Sequence, residues 1–85
     1  MNNTSYTITA FYISPDTSTV WSGNDEYLKG TVLASGGTRT VKNIPPGAYD
    51  LRVDTASQKA ELYGQILSQG KYYTWTVTNV SLVAK

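Results

Sequence analysis

Ile44-Pro45-Pro46-Gly47-Ala48-Tyr49-Asp50-Leu51-Arg52-Val53 is the stretch whose reading decides the fold. Pro45 and Pro46 fix φ near the extended value and remove two backbone donors, so no sheet runs through them. Gly47 then allows a backbone angle that a residue with a Cβ resists. From there the alternation is strict. Tyr49, Leu51 and Val53 point one way, and Asp50, Arg52 and Asp54 the other, which is the period of a strand with one buried face.

Outward from this strand, the same reading gives short strands joined by turns. Lys59 to Leu67 alternates with Ala60, Leu62, Gly64 and Ile66 on one face. Tyr72 to Thr78 places Tyr73, Trp75 and Val77 on one face and Tyr72, Thr74 and Thr76 on the other. Val80, Leu82 and Ala84 line one face of a last strand. Upstream, Thr31 to Ala34 and Thr38 to Asn43 flank a Ser35-Gly36-Gly37 turn, with Val41 inward. Tyr6 to Ser14 is a strand with a fault: Ile8 and Ala10 share one face, Phe11 and Ile13 the other. Thr7 and Thr9 read as solvent-facing, which favours a bulge near Ala10–Phe11 or a crossing between two sheets. The sum is about seven short strands with Gly and Pro turns, an all-β chain expected to form an antiparallel β-sandwich.

One connection is long for so small a domain. Ser14 to Gly30 exceeds the ~12–15 residues beyond which loops hold local structure or carry function. Asn24 or Asp25 is placed to cap a helical turn through Glu26, Tyr27, Leu28 and Lys29, with Gly30 ending it. Val20, Trp21 and Leu28 then read as a plug over one end of the core. The competing reading puts Trp21 and Tyr27 in a binding face.

Composition bounds the rest. Eighty-five residues make one domain, spanning 1–85. There is no cysteine to staple a small core, and no histidine. The net charge of +1 is scattered, so no nucleic-acid-binding stripe is visible. No apolar run approaches the ~20 residues of a membrane helix, and no secretion signal is visible. Without His or Cys the commonest general base, metal ligand and thiol nucleophile are missing. The lysines read as surface residues, and a domain this small has little room for a glycosidase cleft. The chain therefore reads as non-catalytic and free of cofactors. Asp16, Asn24, Asp25 and Glu26 carry oxygen ligands suited to calcium but do not fit an EF-hand loop, and turn-forming and capping roles explain them better. No metal site is assigned.

What remains is aromatic. Seven tyrosines, two tryptophans and one phenylalanine exceed what a core this size requires. Trp75, Tyr73 and Tyr49 fall on inward faces. Tyr12, Tyr63, Tyr72 and Tyr6 fall on the opposite ones. An exposed aromatic presents an apolar ring with a polar tip, which suits sugar faces, protein partners or a subunit interface. The candidate binding residues are thus Trp21, Tyr27, Tyr12, Tyr63 and Tyr72.

Ser14-Pro15 followed by Ser18, Trp21, Asp25 and Leu28, then Pro45-Pro46-Gly47-Ala48-Tyr49-Asp50-Leu51-Arg52, resembles a recurring small bacterial module. Its pattern runs Asn-Asn-Thr, hydrophobic strand, Ser-Pro, Ser, Trp-Gly, Asp, Leu, then a Pro-Gly-Tyr-Asp-Leu-Arg strand. The resemblance covers Asn2 to Thr78 and implies a compact extracytoplasmic β-sandwich, secreted or at the cell surface. It implies no shared activity. Two departures stand out. Trp21 is followed by Ser22-Gly23 rather than directly by Gly. The short apolar strand that precedes Asn-Asn-Thr in such modules has its counterpart at the other end, in Val80-Ser81-Leu82-Val83-Ala84-Lys85. That strand has three placements: folded back into its own domain as in a circular permutant, inserted into a neighbouring subunit, or an ordinary final strand.

Three functions follow as expectations. One is a non-catalytic extracellular module binding a glycan or a protein through its exposed aromatics. The second is a structural subunit that exchanges strands through Val80, Leu82 and Ala84 into a dimer or fibre. The third is an engineered scaffold, in keeping with Met1 set directly against Asn2-Asn3 and with the relocated strand.

Overall fold

The computed structural model describes every residue of the chain except Asn43 and Tyr72. The expectations for those two, Asn43 as the end of a strand and Tyr72 as a binding aromatic, lie outside the described residues. Strands β1 (Asn2–Asn3), β2 (Ala10–Pro15), β3 (Gly47–Asp54), β4 (Gln58–Leu67), β5 (Val77–Thr78) and β6 (Val83–Ala84) make two sheets. The chain is all-β, with only two single 3-10 turns of helix among the described residues. The larger sheet is antiparallel in the order β2-β3-β4-β6, and the smaller is a parallel β1-β5 pair. The Cα radius of gyration, 12.3 Å, is close to the ~12 Å of a compact chain of this length.

Register assigns the two faces of the large sheet. Phe11 stands opposite Val53 and Ile13 opposite Leu51, while Tyr12 stands opposite Arg52 and Ser14 opposite Asp50. Residues directly paired share a face. The inner face therefore carries Phe11, Ile13, Leu51 and Val53, with Ala60 and Leu62 across from the last two on β4. The outer face carries Tyr12, Ser14, Asp50, Arg52 and Glu61. On the inner side Ile8, Leu28, Val53, Ala60, Val77 and Leu82 form one buried cluster, with Phe11, Leu33 and Trp75 packed on it. Beyond this cluster the inner side stays open as a cleft of about 980 Å³, bounded by the sheet and, opposite it, by residues 38–42, Ile44, 68–71 and 73–75.

The fault in the first long strand is a change of partner. Ile8 exchanges both backbone hydrogen bonds with Leu33, at 2.9 Å each, whereas the Thr9 amide already donates to Asp54. From Ala10 the chain pairs with β3. Thr31 to Ala34 contributes only that one bridge. Thr38 to Lys42 forms no strand, and the Gly36-Gly37 turn before it pairs with Asn2 instead: the Asn2 N–H donates to the Gly37 carbonyl, and its carbonyl accepts from the Gly36 N–H.

Five further expectations are corrected. Gly64 is a bulge in β4, with φ +66°, so Tyr63 and Gly64 together face Asp50. The bulge shifts the inward parity, and Gln65 rather than Gly64 or Ile66 follows Leu62 across from β3; Ile66 is 66 % exposed. The helical turn in the long loop is a 3-10 turn at Gly23–Asp25, capped by the Ser22 hydroxyl, which accepts from the Asn24 N–H at 3.0 Å. Leu28 is buried core, but Val20 is exposed and Trp21 lies on the other side of the sheet. Tyr73, read as inward, is exposed, and its hydroxyl accepts from the Ser68 N–H. The last strand is shorter than expected: Val80 sits in a 3-10 turn and is 94 % exposed, Leu82 enters the core, and Ala84 is exposed, pairing with Gln58. Only Leu82 of that trio faces inward.

Candidate functional site

The outer face of the large sheet gathers the aromatic side chains. Tyr12 comes from β2 and Tyr63 from the bulge of β4. Trp21 descends from the long loop and sits between them, its ring centroid 5.9 Å from Tyr12 and 6.4 Å from Tyr63, both tilted. The Arg52 guanidinium lies 6.0 Å from both the Tyr12 and the Trp21 ring centroids, within range of a cation–π contact. The bulge matters here. It leaves two residues of β4 opposite Asp50, and the Gly64 N–H donates to Asp50 Oδ1 at 2.9 Å.

Charges on this face are largely paired. Arg52 Nε donates to Asp54 Oδ1 at 2.7 Å, and Lys59 Nζ lies 2.8 Å from Glu61 Oε1. The Tyr63 hydroxyl donates to the other Glu61 oxygen. These contacts shift the pKa values of the groups that make them. The bond to Asp54 raises the Arg52 pKa further, outweighing burial. The hydrogen bond from Lys59, then that from Tyr63, holds the Glu61 carboxyl below its ordinary range. The same bond to Glu61 raises the Tyr63 phenol above its usual value. Asp50 has no ion pair among the described residues.

Beside Trp21 the loop stands off the sheet and leaves a cleft of about 210 Å³. It is lined by Ser14, Asp50, Trp21 and Tyr63, with Ser18 to Val20 on the loop side. Ser14 Oγ is buried and has no hydrogen-bond partner among the described residues. Sequence reasoning passed over Ser14 and Asp50 as site residues. Their signal was the shared parity with Tyr12 and Arg52 on paired strands.

Of the aromatics singled out from the sequence, the structure brings Tyr12, Trp21 and Tyr63 together. Tyr27 is apart from that cluster. It is half-buried, its backbone N–H donates to the Phe11 carbonyl at 2.7 Å, and burial followed by the charge of Asp25 pushes its phenol up. Among the oxygen ligands considered for calcium, Glu26 accepts backbone N–H bonds from Phe11 at 2.8 Å, Leu28 at 2.8 Å and Lys29 at 2.6 Å. Among the described residues no three acidic side chains gather as a metal site would need. No family model, curated protein or solved structure matches this chain.

Proposed function

We propose that this chain is a non-catalytic binding module that holds a glycan on the outer face of its large sheet. The observation that carries this is the convergence of Tyr12, Trp21 and Tyr63, from three separate segments, onto one surface with Arg52 and Asp50 beside them. Aromatic rings offer flat apolar faces to the C–H faces of sugars, and flanking polar groups orient the hydroxyls. A seven-strand sandwich belongs to the same proposal. What supports it is pairing outside the large sheet: the Ile8–Leu33 bridge and the parallel β1-β5 pair. The bacterial extracytoplasmic setting rests on the resemblance of the Ser-Pro…Trp and Pro-Pro-Gly-Ala-Tyr-Asp-Leu-Arg elements.

The test is a glycan array probed with the labelled full chain and with Trp21→Ala. Binding to a restricted set of glycans, lost in the variant at unchanged thermal midpoint, supports the proposal. Absence of glycan binding, with a protein partner retained through the same aromatics, replaces it with protein recognition.

One observation favours a second reading, self-assembly by strand addition. β6 covers only Gln58 and Lys59 of β4, so Ala60 to Leu67 offers its outer edge with no second strand among the described residues. Against it stands Leu82 in its own core. Light scattering over a wide concentration range separates the two: a monomer at every concentration removes the assembly reading.

A further inference from the structure

We infer that the small cleft beside Trp21 takes the ring of one uncharged sugar residue, the terminus or a side branch of the glycan. The inference rests on the glycan-binding reading and specifies where one residue sits and what its charge is.

Four observations converge. The first is size. At about 30 Å³ per water in the liquid, a cleft of about 210 Å³ has room for roughly seven waters, the scale of a single sugar ring and far below a drug-sized pocket.

The second is Ser14. It is 2 % exposed, it lines the cleft, and its hydroxyl has no partner among the described residues. A hydroxyl is both donor and acceptor, and leaving it buried and unmatched is costly. A sugar hydroxyl has the same dual character and satisfies it in either sense.

The third is Asp50, directly across the sheet from Ser14. One of its oxygens accepts from Gly64, and a carboxylate has about four acceptor positions. Asp54 and Glu61, its neighbours on the same face, are neutralised by Arg52 and Lys59. Asp50 therefore retains acceptor capacity and has no ion-pair partner among the described residues. Paired sugar hydroxyls donate to such a group, while the carboxylate of an acidic sugar or a phosphate is repelled by it. No lysine or arginine lines the cleft.

The fourth is the wall. Trp21 and Tyr63 line the cleft with their rings inclined at 42° to each other. They present apolar surface at an angle beside the two polar groups, the mixture that a pyranose ring with one C–H face and equatorial hydroxyls complements.

Ser14→Ala is a clean probe because it deletes an atom with no hydrogen-bond partner among the described residues. It is expected to leave stability unchanged or raised while weakening binding, a combination that a purely structural role for Ser14 does not produce.

The experiment is a solution NMR titration of the full chain with the methyl pyranosides of glucose, galactose and mannose and with methyl glucuronide. It is repeated for Ser14→Ala and Asp50→Asn, alongside competition against whichever array glycan binds. The expected result is that at least one neutral pyranoside shifts the Trp21 indole signal and displaces the glycan. Affinity falls about tenfold in Ser14→Ala, one hydrogen bond's worth, and at least as much in Asp50→Asn, and the glucuronide does not bind. Glycan binding that survives in both variants, with no pyranoside competing, overturns this inference and leaves the aromatic face standing. Tight binding of the glucuronide overturns the assignment of an uncharged sugar. Absence of any glycan binding removes both readings together.

Discussion

Two side chains hold more of this molecule than their sequence context announces. Asn2 is completely buried, and its side chain is fully engaged. Its Nδ2 donates to the carbonyls of Tyr6 and Leu33 at 2.8 Å each, and its Oδ1 accepts from the Thr4 N–H and hydroxyl. Truncation leaves the Thr4 N–H without its partner and removes one of two donors from the Tyr6 and Leu33 carbonyls, which also accept from the Thr4 hydroxyl and the Ile8 N–H. We expect Asn2→Ala to cost about 2 kcal/mol, the loss of one buried donor's partner at 1–3 kcal/mol with weakening at the two carbonyls. Urea unfolding at constant m is the measurement. Glu26 is the other. Burial alone would raise its pKa, but three backbone N–H donors outweigh that, with Lys29 helping, and hold it below 4.5. A depressed folded pKa contributes stability that is fully present above the unfolded value and is lost as pH falls through the folded one. Glu26→Gln should therefore be less stable than the parent at pH 7, with the gap narrowing below about pH 4; an equal gap at both pH values would contradict the assignment. Neither role was legible in the sequence. The Asn-Asn-Thr run shows no sign of burial. Glu26 looked like a helix residue because its partner Phe11 is fifteen positions away in the chain, on a strand edge that only tertiary structure supplies.

The elements were legible to the degree that their alternation was unbroken. β3 keeps a strict parity from Tyr49 to Val53, and its inward and outward rows were readable directly. Tyr12 reads as opposite to Phe11 and Ile13 within its own strand, and the register then sets it across from Arg52 on the neighbouring strand. β4 carries a similar alternation in sequence, yet one glycine reverses it. A left-handed residue with a single unpaired position costs nothing in composition and leaves no mark in periodicity. The bulge is a specific object with a specific cost. Gly64→Val forces a branched residue into the left-handed region, where about 1–2 kcal/mol is lost, although nothing lies within 4 Å to clash with its Cβ. Gly64→Asn should lose less, because Asn tolerates that region. If the two variants unfold at the same urea concentration, backbone strain is not the reason for glycine there. The double-proline turn before β3 is closed by the Tyr49 hydroxyl, which donates to the Pro45 carbonyl at 2.6 Å. Tyr49→Phe should cost about 1 kcal/mol, read as a lower thermal midpoint with the same spectrum.

At the scale of the whole molecule, the large sheet separates the packed core from the proposed recognition face. Its inner face holds the hydrophobic cluster, sealed at one end by Leu82 from the C-terminal segment. Leu82→Ala is expected to cost 2–5 kcal/mol, the range for a buried leucine, and to leave ligand binding intact in the fraction that stays folded. Its outer face holds Tyr12, Trp21 and Tyr63. The pairing outside the large sheet was the part least legible in advance. It runs through single bridges and a two-residue ladder, and such pairings follow from where Asn2 and Ile8 happen to reach, not from any pattern within the segments. The two tryptophans divide between the faces. Trp75 packs against Phe11 at 6.3 Å on the inner side, and Trp21 packs against Tyr12 on the outer. Their indole N–H signals therefore report the two sides independently. The most direct measurement is a two-dimensional nitrogen–proton NMR titration of the full chain with a pool of bacterial-surface oligosaccharides. This account expects the Trp21 indole and the amides of Tyr12, Ser14, Asp50 and Tyr63 to shift together while the Trp75 indole stays still. Shifts centred on Trp75 and Val77, or none at a saturating concentration of every oligosaccharide, would contradict it.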